Sequence, residues 1–92
     1  MHRGFAYDKL EMYDKAIEDY TKSLEIDPNN AYAYYNRGIS QDRKSLFEEA
    51  IRDFSKAISL DSKKADFYHN RAFAYRKKRN FDMAIEDYSR AI

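Results

Sequence analysis

Ninety-two residues with 17 Lys/Arg, 16 Asp/Glu and a net charge of +1 lack the basic excess a nucleic-acid binder uses to neutralise phosphates. The chain is 43% apolar and 36% charged and has no apolar run near the ~18–20 residues that cross a bilayer, so it reads as one folded, non-membrane domain. It has no cysteine, which excludes disulfides and thiolate metal sites, and no apolar N-terminal stretch of the signal-peptide kind; the expected location is the cytoplasm or nucleus.

Two glycines and one proline are too few breakers for anything but helix nearly throughout. In chain order, helices are expected at about 1–11 and 14–26, about 31–44 and 48–60, and about 65–78 and 82–92, six in all. The breaks between pairs are "DPNN" at 27–30 and "DSKK" at 61–64. Pro28 cannot continue a helix, and Asp and Asn favour caps and turns. Within the fourth helix and its entry, Phe47, Ala50, Ile51, Phe54, Ala57 and Ile58 follow i, i+3, i+4, i+7 spacing, which is one apolar stripe on one face.

The pairs repeat. "AIEDYTKSL" at 16–24 returns as "AIRDFSKAI" at 50–58 and "AIEDYSRAI" at 84–92, a period of 34 residues. The units are about 1–30, 31–64 and 65–92 of a single repeat domain. Gly4, Gly38 and Ala72 share a column in mid-helix, where Gly costs about 1 kcal/mol relative to Ala, so another helix is expected to approach closely there. Ala16, Ala50 and Ala84 are the flat spots on the second helix, beside Tyr20, Phe54 and Tyr88. Arg3, Arg37 and Arg71 each precede an aspartate by 16 residues, Asp19, Asp53 and Asp87. This fixed offset predicts an ion pair between the two helices of each unit, with the forked guanidinium partly buried against the carboxylate.

The period, Tyr34/Tyr68, Gly4/Gly38, Tyr7/Tyr75, Ala16/Ala50/Ala84, Tyr20/Phe54/Tyr88, Ala57/Ala91 and Pro28 resemble the tetratricopeptide repeat. The resemblance implies an all-α fold, a short right-handed solenoid (α-α superhelix) of stacked antiparallel helix pairs, as a segment of a longer array. Glu11, Ser45 and Arg79 stand where that family has a turn glycine, and Arg3, Arg37 and Arg71 where it has leucine.

Nothing in the sequence points to catalysis, a cofactor or a metal. His2 and His69 are the only imidazoles, the glycines are isolated, and the adjacent carboxylates Glu18/Asp19, Glu48/Glu49 and Glu86/Asp87 do not face each other on a helix. The resemblance instead implies a peptide-binding groove lined by the first helix of each unit. Carried across, its positions are His2, Phe5, Asp8 and Lys9; Tyr32, Tyr35, Asn36, Ile39, Asp42 and Arg43; and Asp66, His69, Asn70, Phe73, Arg76 and Lys77. They form a polar row (His2, Asn36, Asn70), an apolar row (Phe5, Ile39, Phe73, widened by Tyr35) and a basic row (Lys9, Arg43, Lys77). Such rows suit an extended peptide, whose amides an Asn can meet with both donor and acceptor. The competing reading of the apolar row is packing between helices. The carboxylate clamp of co-chaperones is not matched: Met1 and Phe5 fall on its first Lys and Asn, and Asp66 and Asn70 replace its later Lys and Arg. The expected function is thus a non-catalytic scaffold for a protein or peptide partner. The alternatives are a homo-oligomeric assembly module using exposed solenoid ends and the targeting arm of a larger enzyme.

Overall fold

The computed structural model describes the backbone of residues 2–91 and the side chains of residues 12–91. Five helices follow one another: α1 His2–Ile26, α2 Ala31–Arg43, α3 Phe47–Leu60, α4 Ala65–Lys77 and α5 Phe81–Ala91. The second and third units fold as expected, each an antiparallel pair, α2 on α3 and α4 on α5. The pairs stack in order, α1 on α2 and α3 on α4, with α2 and α4 meeting on one side. No described helix is long and apolar enough to cross a membrane.

The first unit corrects the six-helix expectation. Residues 1–11 and 14–26 were expected as two helices, but α1 runs unbroken from His2 to Ile26. The turns of the other units explain the difference. Ser45 and Arg79 take the left-handed conformation, with φ of 64° and 66°. Around each, the helix end is closed by two backbone bonds: Leu46 N–H donates to Gln41 O at 2.8 Å and Ser45 N–H to Asp42 O at 2.9 Å. Asn80 N–H to Tyr75 O and Arg79 N–H to Arg76 O repeat the arrangement, both at 2.9 Å. This is the Schellman closure, and it needs one left-handed residue. Glu11 occupies the same column but stays helical, within a run from Gly4 to Pro28 that has no other Gly or Pro. Leu10, Glu11 and Met12 are good helix formers, so local preference continues the helix.

The unit boundaries are capped by sequence. Asn30 Oδ1 accepts from Ala33 N–H at 3.1 Å and starts α2. Asp27 and Asp61 each accept from the backbone N–H two residues on, at 3.2 Å. In the core, Ala50, Phe54, Ala57, Phe67, Ala72 and Ala74 are fully buried. The close approach expected at Gly38 is present: a Cβ there would lie 2.7 Å from Phe54 Cε1 and 2.9 Å from Cδ1. Only a residue without a side chain lets α2 and α3 meet around that ring.

Two of the three expected Arg–Asp pairs form. Arg37 donates from Nε and Nη2 to the two oxygens of Asp53 at 2.7 and 2.9 Å, and Arg71 does the same to Asp87 at 2.7 and 2.8 Å. The carboxylates are buried, with Asp87 fully so. Each guanidinium also reaches one unit back. Arg37 Nη1 donates to Thr21 Oγ1 and Arg71 Nη1 to Ser55 Oγ, both at 3.1 Å. Each arginine therefore ties three helices together. The third pair does not close within α1, because Arg3 and Asp19 lie 16 residues apart on one helix, about 24 Å. The Arg3 side chain lies outside the described residues. A second stitch spans units: Lys44 pairs with Asp14, and Lys78 Nζ with Glu48 at 2.9 Å.

A left-handed conformation costs a non-glycine residue about 1–2 kcal/mol, part of which glycine regains. Replacing both turn residues, Ser45→Gly and Arg79→Gly, is expected to stabilise the chain by about 1 kcal/mol and raise Tm by about 4–8 °C. An unchanged or lowered Tm in a thermal melt would contradict the turn geometry.

Candidate functional site

The site begins with the shared side of α2 and α4. Residues one and two turns apart on each helix point into the furrow between them. Ile39, Asp42 and Arg43 come from α2, Ser45 from the turn after it, and His69, Asn70, Phe73 and Lys77 from α4. Together they enclose an open cleft of about 440 Å³. Among the expected groove positions, Ile39, Arg43, His69, Asn70, Phe73 and Lys77 are thus brought to one place. Asp42, carried across with them, is there too.

The apolar row splits by unit. Ile39 is half-buried against the Ala50–Phe54–Ala74 cluster, so it packs between helices while edging the cleft. Phe73 is 37% exposed. The Lys77 ammonium lies 4.5 Å from the Phe73 ring centroid and 5.4 Å from that of Phe47, a cation held between two aromatic faces. Lys77 and Arg43 bring two cations to the cleft, beside the carboxylate of Asp42.

Tyr32, Tyr35, Asn36 and Asp66 stand outside the cleft lining. Tyr35 belongs to the packing between units, 4.7 Å from the Phe67 ring and 5.8 Å from Phe54. Its hydroxyl donates to Asn70 Oδ1 at 3.0 Å, which engages the oxygen of an amide that also lines the cleft. Burial, with Asp66 nearby, pushes the Tyr35 phenol above its ordinary pKa and keeps it a donor. Tyr32 packs edge-on to Phe67 at 5.6 Å and stays half-exposed, with Lys64 over its ring. His2, Phe5 and Lys9 fall among the residues whose side chains are not described.

Ser45, missed from sequence, lines the cleft from the left-handed turn that follows α2. Asp42 has an unusual position. Its Oδ1 is buried with no hydrogen-bond partner, and burial raises its pKa against the opposing pull of Lys77 and Arg43. A second cleft of about 320 Å³, lined by Glu48, Ile51, Arg52, Tyr75 and Lys78, is bridged by the Lys78–Glu48 pair. Among the described residues no cluster of three or more His, Cys, Asp or Glu could hold a metal.

The sequence profile described as Tetratricopeptide repeat matches residues 1–30, 31–64 and 65–92. Among solved structures, the "First TPR of Spaghetti (RPAP3) bound to HSP90 peptide SRMEEVD" is 31% identical with a TM-score of 0.86, covering 98% of this chain and 71% of that one. The second TPR of the same protein, bound to the same peptide, is 29% identical with a TM-score of 0.85, covering 98% and 83%. A crystal structure of MamA is 25% identical with a TM-score of 0.85, covering 96% of this chain. The chain spans about half of that protein, 52%. Comparison with curated protein sequences returned no match.

An acid whose folded pKa is raised binds its proton more tightly when folded, so it weakens the fold at neutral pH and the penalty fades as pH falls. Asp42→Asn is therefore expected to melt higher than the parent at pH 7. The gap should close as the pH enters the carboxylate range, and a gap independent of pH would contradict the burial of Asp42 Oδ1.

Proposed function

Because the chain belongs to the tetratricopeptide repeat family, we propose that it is a non-catalytic, cytoplasmic interaction scaffold whose α2–α4 furrow holds an extended peptide. The observation that carries this reading is the Phe73–Lys77 stack, which sits beside Arg43 and His69 in a single open cleft. An exposed aromatic face with a cation stacked on it favours a peptide that alternates apolar and acidic side chains. The Asn70 amide, its oxygen already engaged by Tyr35, offers its NH₂ to a peptide carbonyl.

The RPAP3 repeats give this reading a relative that holds an acidic peptide. The chemistry here differs in detail. Asp66 and Asn70 stand where the carboxylate clamp has Lys and Arg, and an acid repels a terminal carboxylate. The furrow therefore favours internal acidic segments over a free acidic C-terminus.

Peptide arrays and fluorescence titration test both levels. Acetylated, amidated peptides alternating Glu with Leu or Phe are expected to bind better than their Lys-substituted counterparts and better than SRMEEVD. Lys77→Ala and Phe73→Ala should each weaken that binding about threefold to fivefold, the scale of a surface cation–π contact of about 0.5–1 kcal/mol. Binding that ignores both substitutions would overturn the proposal.

A further inference from the structure

The open first unit leaves a face of α1 without the partner that its two sister helices have. Ala50 and Ala84 are 0% and 3% exposed, and Asp53 and Asp87 are 5% and 0% exposed, each pinned by an arginine from the preceding helix. In the same columns of α1, Ala16 is only half-buried and Asp19 is exposed. Met12, near the middle of α1, is 66% exposed. The helix that buries these columns in the other units corresponds to residues 2–10, and in α1 these run straight on from the face they match.

We propose that this face is covered by a second copy of the chain. Residues 2–10 of one α1 pack antiparallel on residues 14–26 of the other, and reciprocally, so two hairpins are completed between chains. The register supports this arrangement. Arg37 and Asp53 lie symmetrically about Ser45, and Arg71 and Asp87 symmetrically about Arg79. In α1, Arg3 and Asp19 are equally symmetric about Glu11. An antiparallel pair of α1 helices with its two-fold axis near Glu11 sets Arg3 of each copy opposite Asp19 of the other. It also sets Gly4 opposite Tyr20, as Gly38 lies against Phe54. The same patch of each copy thus meets the other, as a two-fold interface requires.

The turn decides between a second copy and closure within one chain, since both make the same pairs. Closure would force Glu11 into the left-handed conformation that Ser45 and Arg79 adopt, at about 1–2 kcal/mol. The exchanged dimer leaves α1 as the continuous helix observed. This interface is separate from the furrow and stands whether or not the furrow binds peptide.

Sedimentation equilibrium on the 92-residue chain, with helix content followed by circular dichroism, tests the proposal. The chain is expected at twice its 11.0 kDa mass at tens of micromolar. Asp19→Arg should weaken the dimer at least tenfold, and the paired change Arg3→Asp with Asp19→Arg should restore it. Glu11→Gly touches neither pairing residue but frees the turn to close, and should give a monomer of undiminished helix content. A parent chain that stays monomeric at all concentrations would overturn the proposal. So would a dimer indifferent to Asp19→Arg, or one that survives Glu11→Gly unweakened.

Discussion

The guanidinium of Arg37, and its repeat at Arg71, is the contact on which the stack depends. A single planar group closes a hairpin through a two-point bond to Asp53 or Asp87 and reaches the hydroxyl of the preceding unit, Thr21 or Ser55. The family's leucine at this column can fill space between two helices but cannot fix their register by hydrogen bonds. The arginine has five donors in a rigid fork, so it specifies distance and angle as well as burial. Asp53 in turn raises the Arg37 pKa, chiefly by hydrogen bonding, so the cation persists wherever the fold does. Buried pairs of this kind set geometry more reliably than they add stability.

The furrow follows from that geometry. With α2 and α4 held on one side by the arginine ties and by Tyr35 between Phe54, Phe67 and Asn70, the side chains of the two helices converge on one cleft. The close approach at Gly38 keeps α2 down on α3 and lets Tyr35 reach across to α4. Rigid packing below and an exposed Phe73 and Lys77 above divide the labour, one surface for the fold and the other for a partner.

Much of this was legible in the sequence because the period of 34 registers every column against its copies. The helices of the second and third units, the glycine at close quarters and two Arg–Asp pairs follow from recurrence alone. Recurrence misleads where one copy departs from the rest. Glu11 shares a column with Ser45 and Arg79, but only the latter two accept the left-handed turn, and no column comparison weighs that local preference. The hydroxyl column of Thr21 and Ser55 was visible as a repeat, yet its role requires knowing that the arginine has a donor left over after meeting its aspartate. Tyr35 was expected in the groove as part of an apolar row. Instead it packs across units, because a flat ring with one polar tip can satisfy a core and an amide together.

The most direct test of the arginine tie is a double-mutant cycle on Arg37 and Asp53, read by urea denaturation. Removing one partner strands a buried charge and should cost about 3–5 kcal/mol, whereas removing both as Arg37→Leu with Asp53→Leu should cost far less than the two losses together. The account expects a coupling of at least about 2 kcal/mol between the two positions. Losses that add to within about 0.5 kcal/mol would contradict it.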